Sequence, residues 1–157
     1  MILLTRRKFN STLYVVQFAS TLMMTGLIWF VQIIHYPLFR LVGSETFQDY
    51  EILHQRLTTF VVLPLMITEL VSACILLRYR PAFVTKKFAW MGLALLGIIW
   101  ALTFFVHVPQ HNVLTAGFDS GVHENLVSTN WFRTACWSVR SILLGMVVAN
   151  GLGRGND

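Results

Sequence analysis

The stretch TTFVVLPLMITELVSACILL, residues 58–77, is the part of the sequence that decides the fold. It contains a single charged side chain, that of Glu69. A helix of about 20 residues rises about 30 Å, which matches the thickness of the hydrocarbon core of a bilayer. The stretch therefore predicts a helix that crosses a membrane.

Three further stretches share this length and this shortage of charge, namely residues 13–35, 88–108 and 130–150. Lipid cannot hydrogen-bond to open backbone groups, so apolar stretches without strand-like alternation cross a bilayer as α-helices. Only 12% of all residues are charged, whereas a soluble domain carries about 25%. The sequence predicts an all-α fold, in which residues 1–157 form a single domain, a four-transmembrane-helix bundle.

Basic residues predict the orientation of the bundle in the membrane. They lie before the first span, between the second and third, and after the fourth: Arg6, Arg7, Lys8, Arg78, Arg80, Lys86, Lys87 and Arg154. Positive residues stay on the cytoplasmic side during insertion, so we expect both termini to be cytoplasmic. We expect a multi-pass protein of a bacterial inner membrane, with the lipid bilayer as its surroundings. Nucleic acid is not expected as a partner, because no basic water-soluble face is predicted.

A short repeat relates the two halves of the chain. The sequence HYP at residues 35–37 ends the first span, and HVP at residues 107–109 ends the third. A tryptophan precedes each motif, at Trp29 and at Trp100. Both halves are then helix hairpins of the same sense. The pattern favours a tandem hairpin repeat about an axis along the membrane normal.

Two charged residues lie deep inside the predicted spans. Glu69 is about eleven residues and Arg140 about ten residues from the outer end of its helix, so both lie about 15 Å below the surface. An unpaired charge at that depth costs at least a few kcal/mol. We therefore predict an ion pair between Glu69 and Arg140, which either clamps the bundle or serves as an electrostatic element of a functional site.

Four histidines lie at the outer ends of the first three spans: His35, His54, His107 and His111. Neutral imidazole is the commonest metal ligand, and a spacing of four residues lets two rings on one helix converge on one ion. The histidines thus predict a site for one transition metal, with copper, iron and zinc as candidates. The alternative is that each histidine is a half-buried hydrogen-bonding residue at the membrane interface.

Other polar residues are candidates for the surroundings of this site. Glu51, Asn112 and Arg133 can fix the tautomers and the charge of the histidines, and Tyr50 can do the same. His123, in the predicted outer loop, is an additional ligand candidate.

Two segments resemble a known family. They are TFFVHVPQHNVL at residues 103–114 and a helix that begins NWFRT at residue 130 and continues WSVR at residue 137. Together they resemble the anthrone-oxygenase-like family of small four-helix integral membrane proteins. The residues that match the family pattern are Pro109, Asn112, Leu114, Trp137 and Arg140.

The resemblance implies an oxidoreductase or oxygenase that acts on a lipophilic aromatic or quinone-like substrate. The sequence is richer in histidine than the family pattern, which leaves room for a metal that such chemistry need not use.

Three functional hypotheses follow from the sequence. In the first, a lipophilic small molecule enters the outer half of the bundle from the bilayer, where the histidines hold a metal or act as bases. Arg133 and Arg140 then stabilise negative charge on oxygen, and Glu69 and Asn112 are the remaining catalytic candidates. In the second, His35 and His107 are axial ligands of haem b. In the third, the protein is a transporter or a non-catalytic subunit, either in a homo-oligomer or in a larger membrane complex.

Overall fold

The computed structural model describes residues 2–153, which form four long helices joined by short connections. Helix α1 consists of the α-helix Ile2–Phe30, a π-helical turn Val31–His35, an α-helical turn Tyr36–Leu38 and a 3-10 turn Phe39–Leu41. Helix α2 is Phe47–Arg78. Helix α3 consists of Lys86–Leu102, a π-helical turn Thr103–His107 and Val108–Leu114. Helix α4 is Ser120–Gly153.

The structure confirms the predicted fold class. The chain is 88% helical, no strand occurs among residues 2–153, and all four helices are long and apolar enough to cross a membrane. The spanning segments are Lys8–Leu41, Phe47–Arg78, Lys86–Leu114 and Ser120–Asn150. They are longer than the predicted spans, because α2 and α4 each continue about ten residues beyond their apolar stretch. The cytoplasmic orientation of the termini stays a prediction, and Arg154 lies outside the described residues.

The outer surface of the bundle is apolar in a way that only lipid tolerates. Phe60 is 82% exposed and Phe105 is 81% exposed, and many other large apolar side chains point outward with them. A water-soluble bundle buries such side chains, because contiguous exposed apolar surface promotes association. The described helices therefore form a multi-pass integral membrane protein.

Helix α1 packs against α2 and α4, and α3 packs against the same two helices from the other side. Residues 42–46 and 115–119 connect the helices at the end of the bundle that holds the histidines, and residues 79–85 connect them at the opposite end. The core is apolar near the histidine end, where its fully buried members include Met24, Phe39, Phe47, Ile99 and Leu114. A smaller apolar cluster around Tyr14 and Leu76 closes the opposite end.

A polar network crosses the middle of this core and contains the predicted ion pair. The Nη2 of Arg140 lies 3.2 Å from the Oε1 of Glu69, and both side chains are at most 2% exposed. The Thr21 hydroxyl donates to the same Oε1 at 2.6 Å, and the Trp137 indole N–H donates to Oε2 at 2.9 Å. Arg140 also donates to the backbone carbonyl of Gly92. Because these residues come from all four helices, the network ties the whole bundle together.

The short sequence repeat coincides with the same irregularity in both halves. Each π-helical turn ends at the histidine of its motif, and Pro37 or Pro109 follows two residues later. The Tyr36 N–H bonds to the carbonyl of Val31, and the Val108 N–H bonds to that of Thr103, five residues back in each case. A proline lacks the N–H of the next α-helical bond, so a widened turn is a natural way to accommodate it. π-helical turns occur frequently at functional sites.

Replacing Glu69 by Gln should destabilise the bundle strongly, because Arg140 then keeps a buried charge without its counter-charge. We expect a loss of about 3–5 kcal/mol in the free energy of unfolding. The double variant Glu69→Gln with Arg140→Met removes both charges and should recover at least half of that loss. Equilibrium unfolding in mixed detergent micelles measures both values. The control is Glu45→Gln, at an exposed position, which should change stability by less than about 0.5 kcal/mol. A harmless Glu69→Gln change would show that the ion pair does not stabilise the bundle.

Candidate functional site

A cavity of about 290 Å³ lies in the half of the bundle that holds the histidines. Its walls are mainly apolar, with Met24, Ile28, Val62, Met66 and Trp100 among them. Its polar end is formed by five side chains from all four helices: Tyr36, His54, His107, His111 and Arg133. An apolar body with a few convergent polar groups is the usual form of a small-molecule site.

The cavity reaches the lipid-facing surface between α2 and α3. Leu63 on α2 lines it and is 41% exposed, and Phe104 on α3 lines it and is 56% exposed. Thr59 and Val108, one helical turn nearer the histidine end, also line the cavity and are exposed. A lipophilic molecule therefore has a lateral path from the bilayer to the polar end.

Three histidines form a contiguous group at this polar end. The Nε2 of His35 lies 2.9 Å from the Nδ1 of His54, which is also 3.1 Å from the Thr58 hydroxyl. The rings of His54 and His111 lie 5.3 Å apart, centroid to centroid. The group joins α1, α2 and α3, as the sequence predicts for these three residues.

Glu51, His111 and Tyr36 form a hydrogen-bonded chain beside this group. The His111 Nδ1 lies 2.6 Å from the Glu51 Oε1, and the Tyr36 hydroxyl lies 2.9 Å from the His111 Nε2. An ionised carboxylate only accepts, so with Glu51 ionised the His111 Nδ1 carries the proton and Nε2 accepts from the Tyr36 hydroxyl. Gln55 donates to the backbone carbonyl of His111 at 3.0 Å and holds the end of α3 against α2.

His107 lines the same cavity but has different hydrogen bonds. Its Nδ1 lies 2.9 Å from the backbone carbonyl of Leu102, which the widened turn Thr103–His107 brings within reach. A carbonyl only accepts, so Nδ1 carries the proton and Nε2 carries a lone pair. The side chain is 1% exposed, and its Nε2 has no hydrogen-bond partner among the described residues. His107 thus has a buried ring nitrogen with a lone pair that no described residue occupies.

Arg133 and Trp100 contribute donors to the cavity. The guanidinium of Arg133 stacks over the Trp137 ring at 5.3 Å, and the residue is 7% exposed. Within the described part of the chain, the Nε of Arg133 and the Nε1 of Trp100 have no acceptor. A ligand oxygen in the cavity would satisfy such donors, which are costly to leave unpaired in a buried site.

The other predicted site residues lie elsewhere. Glu69 and Arg140 belong to the network in the middle of the bundle and do not line this cavity. Asn112 is exposed on the last turn of α3. His123 is buried, and its Nε2 donates to the backbone carbonyl of Tyr36 at 2.8 Å. His35 contacts His54 from outside the cavity that His107 lines, so the pair proposed as axial haem ligands does not share one cavity.

The side chains whose spacing could hold a metal ion differ in part from the four histidines expected from the sequence. One nitrogen each of His54 and His111 and one carboxylate oxygen of Glu51 lie within 4.8 Å of one another. Of the four predicted histidine ligands, His54 and His111 belong to this set, while His35 and His107 lie beside it.

The sequence contains a pattern that places Glu51 beside His54. Glu51 and His54 have the Glu-x-x-His spacing with which helix bundles place a carboxylate and an imidazole on one face. Tyr36 and Gln55 carry no such signal, because their roles depend on where α3 ends.

Comparisons with protein-family models, with curated proteins and with solved structures found no match to this chain. The resemblance to the anthrone-oxygenase-like family therefore stays a prediction from two sequence segments. A function for the site has to be inferred from its geometry and chemistry.

Replacing Tyr36 by Phe should remove one buried hydrogen bond and leave the fold intact. We expect a loss of about 1 kcal/mol in the free energy of unfolding. In protein labelled with ¹⁵N-histidine, the Nε2 resonance of His111 should move toward that of an imidazole nitrogen with no donor. The control is Tyr50→Phe, whose ring stacks on His54 at 6.3 Å, and which should leave that resonance in place. An unchanged His111 spectrum in Tyr36→Phe would rule out the hydrogen-bonded chain.

Proposed function

We propose that the protein is a membrane-embedded oxygenase that oxidises a lipophilic aromatic substrate of the anthrone class in the cavity that opens to the lipid between α2 and α3. The observation that carries the proposal is the Nε2 of His107, a buried nitrogen with a free lone pair in a largely apolar cavity. A histidine nitrogen with a free lone pair can act as the general base that takes a proton from a bound substrate.

The volume and the lining of the cavity support a lipophilic ring system as the substrate. Its volume of about 290 Å³ is near the lower end of the range of about 300–1,000 Å³ for small-molecule sites. Trp100 and Phe104 stack on each other at 5.3 Å and form an aromatic wall. Met24 and Met66 lie among the other wall residues, and their flexible thioethers adapt to the outline of a ring system.

The polar end of the cavity supports a substrate that carries an oxygen next to an acidic hydrogen. His107 accepts the proton, and negative charge develops on the substrate oxygen. The Arg133 Nε and the indole N–H of Trp100 supply donors that have no other partner among the described residues. Donors arranged in advance around developing charge in a site that excludes water are a strong source of catalysis.

The reaction balances with dioxygen as the oxidant: a ring CH₂ group and O₂ give a ring carbonyl and water. His107 Nε2 takes one proton from the CH₂ carbon, and the resulting carbanion forms a carbon–oxygen bond with dioxygen. The proton returns from His107 to the outer oxygen and gives a hydroperoxide on the substrate. Loss of water then breaks the oxygen–oxygen bond and the second carbon–hydrogen bond. Dioxygen is apolar and reaches the cavity through the bilayer as the substrate does.

Replacing His107 by Gln should lower kcat by about 10²–10⁴-fold, which is the usual contribution of a general base. The measurement is dioxygen consumption together with quinone absorbance, with anthrone as substrate and the protein in lipid nanodiscs. The matched control is His123→Gln, a buried histidine outside the cavity, which should retain at least half of the activity. Full activity of a folded His107→Gln variant would contradict the role of His107 as the base.

A large residue at the lateral opening should hinder the substrate without altering the chemistry. Thr59→Trp fills the lipid-facing side of the cavity, and we expect KM to rise several-fold while kcat changes little. The control is Phe60→Trp, one residue along α2, where the side chain is 82% exposed and does not line the cavity. An equal effect of the two substitutions on KM would exclude this route into the cavity.

A further inference from the structure

We propose that Glu51, His54 and His111 bind one iron(II) ion at the edge of the cavity. The inference deepens the proposed oxygenase function and rests on it for the role of the metal, but the binding itself depends only on the three side chains. The ligand set consists of two imidazole nitrogens and one carboxylate oxygen that lie within 4.8 Å of one another.

The three side chains are held where a metal would join two helices. Glu51 and His54 are one turn apart on the same face of α2, and His111 comes from the last turn of α3. Glu51 is 0% exposed, His54 is 8% exposed and the His111 side chain is 12% exposed. His54 and His111 line the cavity, whereas Glu51 lies behind them. Coordination positions of the ion that no protein side chain fills would therefore face the cavity.

The charge of Glu51 favours a cation at this place. One oxygen of its buried carboxylate is bonded to His111 at 2.6 Å, and the other oxygen has no partner among the described residues. A buried carboxylate that is only partly satisfied costs several kcal/mol. Arg140 pairs with Glu69 instead, and no arginine or lysine side chain described by the structure forms an ion pair with Glu51. A divalent cation between the Glu51 Oε1 and the His111 Nδ1 would balance the carboxylate and replace the proton that these two atoms share. The His111 Nε2 would then carry the ring proton and donate to the Tyr36 hydroxyl.

The surrounding hydrogen bonds orient His54 for a metal. Its Nδ1 already lies within hydrogen-bonding distance of the His35 Nε2 and the Thr58 hydroxyl, at 2.9 Å and 3.1 Å. This leaves the His54 Nε2 as the ligand atom. Ligating histidines usually have their second ring nitrogen fixed in this manner, and such partners strengthen metal binding. His35 therefore has a positioning role rather than the ligand role expected from the sequence.

The chemistry of the donors selects the metal. Two histidines and one carboxylate with open positions are the ligand set of non-haem iron(II) oxygenases, while cysteine or methionine ligands would favour copper(I). Zinc is bound by the same donors in hydrolytic enzymes, but zinc has no redox chemistry to offer a dioxygen-dependent reaction. When bound, iron(II) would supply the one-electron steps that let a closed-shell substrate react with dioxygen.

The test is metal binding by the whole protein in detergent, without substrate. After treatment with a chelator, the protein is titrated anaerobically with Fe²⁺, and with Co²⁺ as a spectroscopic substitute, by calorimetry and visible absorption. We expect one ion per chain, with a Co²⁺ spectrum typical of nitrogen and oxygen ligands. Glu51→Gln and His111→Gln should each weaken binding by more than about 100-fold, the upper range for losing a residue that only supports a ligand.

Two controls separate the metal site from the proposed catalysis. Glu124→Gln, at an exposed position near the same end of the bundle, should bind Co²⁺ as the unchanged protein does. His107→Gln should also bind Co²⁺ normally while it loses anthrone oxidation. Thermal unfolding of each variant shows whether a loss of binding reflects a loss of fold, and if Glu51→Gln does not fold then His111→Gln decides the matter.

Two results would overturn the inference. One is the absence of saturable Fe²⁺ and Co²⁺ binding by the unchanged protein, even if anthrone oxidation persists, which would leave a metal-free oxygenase. The other is undiminished binding in folded Glu51→Gln and His111→Gln variants, which would place the ion elsewhere. Normal metal binding without any anthrone oxidation would support the site and contradict the proposed function instead.

Discussion

The buried ion pair between Glu69 and Arg140 is the interaction on which the rest of the bundle depends. In a bilayer, apolar side chains gain little by leaving lipid for the protein interior, so close packing and hydrogen bonds must hold the helices together. The Glu69 carboxylate accepts hydrogen bonds from Thr21 on α1 and from Trp137 on α4, and Arg140 reaches the backbone of α3 at Gly92. Each helix can satisfy its part of the network in only one rotation and one depth. The network thereby fixes which face of each helix points inward.

That register has a direct consequence at the histidine end. Once α2 is fixed through Glu69, Glu51 and His54 point toward α3, about four to five turns from the network at about 3.6 residues per turn. Once α4 is fixed through Arg140, Arg133 lies two turns away and lines the cavity. The predicted ion pair thus influences the candidate site at a distance, because it fixes the rotation of helices whose other residues line that site.

The two π-helical turns add a second constraint. A π turn inserts one extra residue into the helix. Without that residue, all later side chains would point in directions about 100° away from those they have now. In α1 the inserted residue helps to turn Tyr36 toward His111, and in α3 it lets His107 reach the carbonyl of Leu102. Pro37 and Pro109 favour both irregularities because they lack the N–H that a regular helix would use. The short repeat in the sequence therefore marks the two π-helical turns on which the proposed chemistry depends.

The sequence by itself determined the class of the protein, because long uncharged stretches have few stable structures in lipid other than helices. It also determined the ion pair, since Glu69 and Arg140 lie at similar depth and neither can remain unpaired there. It placed His35, His54 and His111 at one end of the bundle, but it could not decide which atoms meet. That depends on helix rotation, on the widened turns and on where α3 ends. Only the tertiary structure shows that Glu51 contacts His111, that Asn112 lies at the surface, and that His107 is not part of the proposed metal site. The physical reason is that depth in a membrane can be counted along one helix, whereas contact between helices depends on rotations of about 100° per residue that hydropathy does not specify.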